Sequence, residues 1–173
     1  MLEGFNGTIF AYGQTSSGKT HTMAGIHDSN THEGIIPRMV HNVFNQILQA
    51  PADIEFTVKV SMIEIYMEKI KDLIIPTKVN LNVREDKNKG LYIEDLSEYY
   101  VISHEEVMEI MKVGEENRAT GSTNMNEHSS RSHSIFIMTI HQTNVKDLTA
   151  KTGKLYLVDL AGSEKISKTG YNY

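Results

Sequence analysis

Hydrophobic residues recur along this chain with two spacings, one typical of strands and one typical of helices. Alternating or continuous apolar segments rich in β-branched residues predict strands, whereas apolar residues three and four positions apart predict helices. The predicted strands are Thr8–Tyr12, Ile54–Tyr66, Leu81–Arg84, Leu91–Ile93, Ser134–Ile140 and Lys154–Asp159. The predicted helices are Thr20–Met23, Ile36–Leu48 and Ser103–Arg118. Because buried strands alternate with helices, the expected fold is an α/β layered fold, with a mixed central β-sheet flanked by helices.

For three of these elements the sequence also predicts burial or the position of the helix start. Thr8–Tyr12 is apolar enough to be buried on both faces, as central parallel strands are. In Ile36–Leu48, Pro37 lies in the first turn, where a missing N–H is tolerated. The residues of this helix expected to face the core are Met39, Val40, Val43, Phe44, Ile47 and Leu48. The third helix starts with a capping-box pattern, Ser103 followed three residues later by Glu106.

The connecting segments are predicted from their polar and turn-forming residues. Asp86–Gly90 is expected to join the two short strands around it into a hairpin. Gly25–Gly34 is polar and bracketed by glycines, which indicates a surface loop, and its two histidines are expected to be solvent-exposed rather than metal-binding. Glu68–Ile74 is expected to form a short helical turn or bend, and Asn126–His133 a hydroxyl-rich loop.

Length and composition narrow the class of protein. At 173 residues, with 39% hydrophobic and 23% charged residues, the chain fits one globular domain with its own core. No apolar run approaches the roughly 18 residues of a membrane span, and Met1–Gly4 lacks the basic region of a signal peptide. The absence of cysteine excludes a disulfide framework and thiolate metal sites, and it fits a reducing, intracellular setting.

The distribution of charge bears on the partners of the protein. A net charge of −5 argues against generic nucleic-acid binding, which usually requires a basic domain. The stretch from Lys78 to Lys89 is locally basic, because it contains four basic residues and only two acidic ones, Glu85 and Asp86. Such a stretch either meets an acidic partner surface or is simply a solvated face, and both interpretations stay open on charge alone.

Gly13–Thr20 has the spacing of a phosphate-binding loop, a glycine followed by four residues and then Gly-Lys-Thr. The two glycines let successive N–H groups face one concavity that fits a triphosphate. Lys19 brings positive charge to the outer phosphates, and the Thr20 hydroxyl can ligate Mg²⁺. The loop follows a predicted strand and opens a helix, the context that distinguishes this motif from a chance match. The residues of the predicted phosphate site are Gly13, Gln14, Thr15, Ser16, Ser17, Gly18, Lys19 and Thr20.

A second candidate segment places an acidic residue at the end of a buried strand. Asp159 closes Lys154–Asp159, where its carboxylate can hold the water shell of Mg²⁺. Gly162 follows three residues later and, having no Cβ, can bring its N–H close to a terminal phosphate. The alternative is that Asp159 only caps the end of the strand.

A third candidate segment, Asn126–His133, combines several hydroxyl groups with one guanidinium group. This composition suits a triphosphate, Mg²⁺ and a catalytic water. Ser130 can ligate the metal, Ser129 can orient water, and Arg131 can pair with Glu164. A serine-rich surface turn fits the same residues, and their spacing alone does not reject it.

Taken together, three motifs resemble the motor domain of kinesins: GQTSSGKTHTM, NEHSSRSHS and LVDLAGSEK, in this order and spacing. The intervening segments NGTIFAYGQT, GIIPR, EIYMEKIKDL and KTGKLY resemble it as well, and the similarity is greatest to conventional kinesin heavy chains. The resemblance identifies residues 1–170 as a partial motor domain of the P-loop NTPase type, incomplete at both ends. Residues 171–173 do not continue the family pattern.

The resemblance implies a site for ATP and Mg²⁺, in which phosphoryl transfer depends on positioning and electrostatics rather than on a strong base. The groups implied to hold the nucleotide are the eight residues of the phosphate loop and His21, for which a packing role is the alternative. The groups implied to bind Mg²⁺ or its water shell are Thr20, Ser130 and Asp159. The resemblance also implies groups that position water, sense the γ-phosphate and join the NEHSSRSHS motif to the LVDLAGSEK motif. They are Ser129, Ser130, Arg131, Gly162 and Glu164.

The resemblance also implies a partner and a location. Lys69 and the hairpin that carries Arg84, Lys87 and Lys89 match a region that in kinesins faces the acidic surface of tubulin. The implied location is the cytoplasm, on microtubules, and the implied partners include neither nucleic acid nor a membrane. The parent of such a motor would dimerise through a coiled coil outside this sequence.

Two functions remain open at this stage. One is microtubule-stimulated ATP hydrolysis that drives movement, and the other is a truncated, non-motile segment that binds nucleotide or tubulin without productive turnover. A GTPase fits less well, because the sequence has no Asn-Lys-x-Asp motif. In the family, a strand from the missing C-terminal part flanks Thr8–Tyr12. We therefore expect this strand to present an unpaired apolar edge and the isolated chain to be marginally soluble or loosely packed.

Overall fold

The computed structural model describes residues 1–26, 32–87, 90–120 and 125–164, and they form a mixed β-sheet with helices. The strands are β1 (Gly7–Ala11), β2 (Ile54–Tyr66), β3 (Lys69–Asp72), β4 (Val79–Leu81), β5 (Val83–Asp86), β6 (Gly90–Ile93), β7 (Tyr99–Val101), β8 (His133–Asn144) and β9 (Ala150–Asp159). The helices are α1 (Lys19–Met23), α2 (Ile35–Leu48), α3 (His104–Thr120) and α4 (Met125–Arg131). None of these helices is long and apolar enough to cross a membrane.

Seven strands form one sheet, and its centre consists of two long antiparallel strands. The order is β1-β9-β8-β2-β3-β4, and β7 also pairs with β2. β1 runs parallel to β9, while the other pairings of this sheet are antiparallel. β2 and β8 stay in register from Ile54 opposite Asn144 to Ile65 opposite His133. The expected mixed sheet is therefore confirmed, and β5 and β6 form a separate hairpin, also as expected.

The core lies between one face of this sheet and helices α2 and α3. Along β8, buried residues alternate with half-buried ones, and Phe136, Met138 and Ile140 are on the buried face. They belong to one apolar cluster with Val40 of α2 and Met111 of α3. This alternation is the pattern of a strand with one covered face. The sheet thus forms a platform, and the loops that follow its strands are free to carry polar groups.

Helix α2 confirms the helix predicted there, although its apolar side is shorter than expected. Val40, Val43 and Phe44 are buried, whereas Leu48 is 83% exposed. Leu48 is the last residue of the helix, so helical spacing alone extended the predicted core too far. The predicted cap of α3 is present, because the Ser103 hydroxyl accepts the N–H of Glu106 at 3.3 Å.

The helical turn or bend expected at Glu68–Ile74 is wrong, because this segment forms the antiparallel strand β3. The chain reverses through Met67 and Glu68, which have φ angles of 48° and 60°. Tyr66 pairs with Lys69 across these two residues, which is the geometry of a type I′ hairpin turn. The turn contains neither glycine nor asparagine, and pairing with β2 overrides the poor local preference.

The loop expected at Asn126–His133 is also wrong, because residues 125–131 form helix α4 and β8 begins at His133. Asparagine and serine compete with the helical backbone for hydrogen bonds, and local preference therefore predicted a loop. The packing of α4 against α3 outweighs that preference. Strand β7 was not predicted at all.

β1 is an edge strand, and burial on both of its faces was a wrong expectation. Within the described chain it pairs with β9 alone. Phe10 and Tyr12 are 61% and 77% exposed, whereas Ile9 and Ala11 pack partly against the core. The expected unpaired apolar edge is present among these residues.

A few predictions concern residues outside the described ranges. Residues 27–31 include His27 of the predicted surface loop. Lys89 of the basic hairpin and the tail at residues 171–173 also lie outside them.

Candidate nucleotide site

The predicted phosphate loop joins β1 to α1, as the sequence indicated. Gly18 has a φ of 90°, in the left-handed region that favours glycine. Ser16 adopts a φ of 62° in the same loop. At Gly13, a Cβ would come within 2.6 Å of the Ser17 hydroxyl oxygen. The glycine spacing therefore serves the tight backbone path of the loop.

The cation and the hydroxyl of the motif are held in place by neighbouring groups. The Lys19 ammonium donates to the carbonyl oxygens of Gly13 and Gln14, both at 2.9 Å. The Thr20 hydroxyl donates to Oδ2 of Asp159 at 2.6 Å. The structure therefore brings together, from distant segments, two of the three residues predicted to bind Mg²⁺ or its water shell.

Asp159 also offers a second oxygen to a ligand. Oδ1 of Asp159 is buried and makes no hydrogen bond with the described residues. A buried carboxylate oxygen without a partner calls for an explanation, and a bound water or cation would provide one. This donor set, a carboxylate beside the hydroxyl of Thr20, fits the oxygen ligands that Mg²⁺ prefers.

The segment after β9 connects all three predicted motifs. The N–H of Gly162 donates to the carbonyl oxygen of Ser130 at 2.7 Å, and the N–H of Ser163 donates to that of Gly13 at 3.0 Å. The N–H of Ala161 donates to Nδ1 of His133 at 3.1 Å. The segment after β9 therefore bonds both to the phosphate loop, more than a hundred residues earlier in the chain, and to the α4 segment.

Glu164 contacts the phosphate loop directly. Oε2 accepts the backbone N–H of Thr15 at 2.9 Å, and Oε1 accepts the Thr15 hydroxyl. The bond from the hydroxyl, then the bond from the backbone N–H, and more weakly the charge of Lys19, hold the pKa of Glu164 below its usual value. The carboxylate is therefore ionised near neutral pH. The pairing of Glu164 with Arg131 stays a prediction.

The other predicted catalytic residues lie on or beside α4. Ser129 and Arg131 are exposed, whereas Ser130 is half-buried and faces Gly162 through its carbonyl oxygen. His21 is exposed on α1, one residue after Thr20. The structure therefore places His21 at the surface, and its place near the nucleotide stays a prediction.

The basic residues predicted to face a partner lie on strands away from this site. Lys69 is exposed at the start of β3, and Lys87 is exposed in the β5–β6 turn. Arg84 is exposed on β5 but donates through Nε to Glu94 at 3.0 Å. Two exposed ammonium groups and one guanidinium already in an ion pair make up the described part of this basic surface.

Arg118 is a site residue that sequence reasoning missed. Its NH1 lies 3.3 Å from Oδ2 of Asp159, and its NH2 donates at 3.3 Å to the carbonyl oxygens of Ser129 and Ser132. One guanidinium therefore joins the end of α3 to the second and third motifs. The sequence carries no signal for it, because a polar residue near the end of an amphipathic helix is ordinary.

Glu64 is the second missed residue. It is 3% exposed on β2, and its Oε1 lies 3.6 Å from Nε of Arg118 and 3.4 Å from Nδ1 of His128. The ring of His128 also stacks on Tyr66, with the ring centroids 4.2 Å apart. A signal did exist here, because a carboxylate in the middle of an apolar strand is rarely buried without a partner.

A strand, a glycine-rich loop and a helix that meet an aspartate at the end of a neighbouring strand define a P-loop nucleotide-binding protein. Within that class, the kinesin motor domain family matches residues 1–173. The chain belongs to this family.

Individual relatives agree with this assignment. The chain is 55% identical over 170 residues to the kinesin heavy chain of Drosophila melanogaster and 59% identical over 172 residues to that of Syncephalastrum racemosum. In each case the match covers 98% of this chain, and it covers 17% and 18% of the respective relatives. The chain thus spans less than a fifth of these curated relatives.

A solved structure confirms the fold. A fast kinesin, whose structure was described for its ATPase mechanism and its interactions with microtubules, superposes with a TM-score of 0.93 at 54% sequence identity. The superposition covers 99% of this chain and 49% of the solved one. The expected layered fold of the kinesin motor is therefore correct for the part of it that this chain spans.

Proposed function

We propose that this chain carries the ATPase centre of a microtubule motor, in which microtubule-stimulated ATP hydrolysis drives movement. The observation that carries the proposal is the meeting of three distant motifs, with Gly162 bonded to Ser130 and Ser163 bonded to Gly13. Membership of the kinesin motor domain family supports the same conclusion. A segment that touches the phosphate loop through Ser163 and the α4 segment through Gly162 is suited to convert nucleotide state into movement.

In this proposal the phosphate loop binds and orients ATP. Lys19 exchanges the carbonyl oxygens of Gly13 and Gln14 for the outer phosphates, since a charge-assisted bond to phosphate is stronger than a bond to a neutral carbonyl. The backbone N–H groups of the loop supply the remaining donors. His21, exposed beside the loop, lies near the nucleotide.

Mg²⁺, when bound, would neutralise negative charge on the phosphates. Thr20 and Ser130 would hold it through their hydroxyl groups, and Asp159 would hold its water shell through the buried oxygen that has no partner among the described atoms. The Gly162 N–H would sense the γ-phosphate. Because these groups act by position and charge, no side chain has to serve as a strong base.

The remaining catalytic roles belong to the α4 segment and the segment after β9. Ser129 would orient the attacking water, and Arg131 and Glu164 would latch the two segments together around it. Arg118 would act as a positioning residue for Asp159, which it already contacts at 3.3 Å.

The proposed partner is the microtubule, and the proposed location is the cytoplasmic cytoskeleton. Lys69 on β3 and Lys87 after β5 present exposed ammonium groups, and Arg84 and Lys89 belong to the same basic stretch of sequence as Lys87. Positive groups on one surface attract an acidic partner such as tubulin and speed its association. Dimerisation of a longer parent through a coiled coil belongs to the same proposal.

A second candidate function is a non-motile segment that binds nucleotide or tubulin without productive turnover. The observation that favours it is the edge position of β1, the strand that carries the phosphate loop. Within the described chain, β1 is supported by β9 on one side only. A loop on a weakly held strand can bind phosphate and still fail to hold the precise geometry that phosphoryl transfer needs.

The experiment that separates the two measures ATP binding and ATP turnover by the 173-residue chain, with and without microtubules. Turnover that rises with microtubules and disappears in Lys19→Ala supports the motor ATPase. Binding that Lys19→Ala abolishes, without turnover in the parent chain, supports the second function. No binding of ATP at any accessible concentration would overturn both.

A further inference from the structure

The Glu164 carboxylate accepts hydrogen bonds from two donors of the phosphate loop. Both oxygens of Glu164 contact Thr15, one at the backbone N–H at 2.9 Å and the other at the hydroxyl. Backbone N–H groups of such a loop are the groups that receive phosphate oxygens. A carboxylate with two acceptor oxygens resembles one edge of a phosphate in charge and geometry. An internal anion therefore holds donors that a nucleotide needs.

The position of this carboxylate identifies the phosphate with which it competes. A Cβ placed on Gly162 would collide with both the Glu164 carboxylate and the Thr15 hydroxyl, so the carboxylate lies directly beside the Gly162 backbone. Gly162 is the residue proposed to sense the γ-phosphate. Lys19, proposed to reach the outer phosphates, is close enough to lower the pKa of Glu164, after the larger effect of the Thr15 bonds.

Two physical effects prevent the γ-phosphate and the Glu164 carboxylate from lying beside Thr15 at the same time. A γ-phosphate beside Gly162 would reach for the two Thr15 donors that the carboxylate already holds, and each donor is a single hydrogen. The phosphate and the carboxylate also carry charges of the same sign at short range, which repel each other. ADP lacks the γ-phosphate, so both the competition for Thr15 and the charge repulsion are weaker for ADP.

We propose that Glu164 is a specificity-determining residue that competes with the terminal phosphate of the nucleotide for Thr15 and so weakens ATP binding more than ADP binding. This inference rests on the proposed function, because it assumes that the loop binds a nucleotide. ATP has to displace the carboxylate, and the displaced carboxylate becomes available for its proposed pairing with Arg131. Glu164 thereby links occupation of the loop to the position of the segment after β9.

The test compares the dissociation constants of ATP and ADP, measured by titration calorimetry, in the parent chain, Glu164→Ala and Glu164→Asp. Glu164→Ala removes the competitor and should bind ATP about tenfold tighter than the parent, with a smaller gain for ADP. Glu164→Asp keeps the charge but is one methylene too short to reach both donors of Thr15. It should therefore recover most of the same gain.

A second readout is the melting temperature, measured with and without ATP. Without ATP, Glu164→Ala loses two hydrogen bonds to Thr15 and should melt at a lower temperature than the parent chain. With saturating ATP the difference should shrink or reverse, because ATP displaces the same two bonds in the parent chain and binds Glu164→Ala more tightly. A purely structural role for Glu164 would lower both the melting temperature and the affinity.

The outcomes separate this inference from the function on which it rests. If the parent binds ATP and Glu164→Ala binds it no more tightly, the competition is refuted while the nucleotide site stands. If Glu164→Ala gains affinity and Glu164→Asp does not, repulsion alone explains the gain and competition for Thr15 is refuted. If neither the parent nor the variants bind ATP, both the proposed function and the inference fail. Binding by Glu164→Ala alone supports both.

Discussion

Asp72 shows how a single buried carboxylate organises its surroundings. It is fully buried at the end of β3, where Oδ1 accepts the N–H groups of Ile74 and Ile75 at 2.8 and 3.0 Å. Oδ2 accepts the N–H of Ser97 at 2.9 Å. One side chain therefore closes the turn after β3 and ties it to the segment that leads into β7.

Replacing Asp72 with alanine should lower the free energy of unfolding by about 3 kcal/mol or more, because three buried or partly buried N–H groups lose their acceptor. Urea denaturation followed by circular dichroism measures this loss. Asp147→Ala is the matched control, since Asp147 makes similar local bonds to Thr149 in an exposed turn. Equal losses in the two variants would show that burial of Asp72 is unimportant.

Gly162 is a second position where a single substitution should have a large effect, here on ATP turnover. A Cβ there would meet the Glu164 carboxylate and the Thr15 hydroxyl. We therefore expect Gly162→Ala, placed in a motor that is active with microtubules, to lose stimulated ATP turnover by a factor of about 100 or more. Gly7→Ala is the control, because its Cβ would only touch Leu155 at 3.4 Å. Unchanged turnover in Gly162→Ala would contradict the role proposed for this glycine.

At the scale of elements, the β2–β3 hairpin stands out because its turn is made from unfavourable residues. Met67 and Glu68 both adopt positive φ angles, of 48° and 60°. Side chains with a Cβ pay for this conformation, whereas glycine does not. The hairpin persists because β2 offers a long, well-buried edge on which β3 pairs, in register from Ile63 to Tyr66.

Glu68→Gly should therefore stabilise the protein by about 0.5–1 kcal/mol, because it relieves the strained residue in the turn. Thermal and urea unfolding of the variant measure the gain. Glu68→Ala keeps a Cβ at the same position and should bring no such gain. A Glu68→Gly protein less stable than the parent would mean that the flexibility added to the unfolded chain outweighs the strain removed.

At the scale of the whole molecule, the sheet ends at β1 with an uncharged edge. From Gly4 to Gly18 the sequence has no charged residue. Phe10 and Tyr12 are largely exposed there, and β1 pairs with β9 alone in the described part of the chain. Natural edge strands usually carry charges, prolines or bulges that prevent pairing with other chains, and β1 has none of these.

The isolated chain should therefore associate at micromolar concentration, and Phe10→Lys should shift it towards the monomer. Sedimentation velocity at several concentrations, with melting curves alongside, tests this expectation. Leu48→Lys is the control, because Leu48 is also a largely exposed apolar residue, but it lies at the end of a helix rather than on a strand edge. A monodisperse parent monomer with a sharp two-state melt would contradict the prediction.

Local patterns predicted the elements whose own sequence carries a strong period. β2 alternates apolar and polar residues through its first half and is rich in β-branched residues, and both of its ends, Ile54 and Tyr66, were predicted correctly. The phosphate loop was predicted from glycine spacing, because Gly18 must adopt a backbone angle that few other residues tolerate. Where the local preference was weak or opposed to the fold, as in β3 and α4, the prediction failed.

The sequence by itself determined the chemistry of the site: a phosphate loop, an aspartate at a strand end, a hydroxyl-rich segment and their order along the chain. Only the tertiary structure decided which groups meet. Sheet order brings Asp159 to Thr20 and Glu164 to Thr15, pairs separated by 139 and 149 residues. It also recruits Arg118 and Glu64, which no motif marked. The physical reason is that the hydrogen bonds of helices and turns join residues close in sequence, so local patterns predict them. Contacts across the sheet join distant residues and depend on the order and register of the strands.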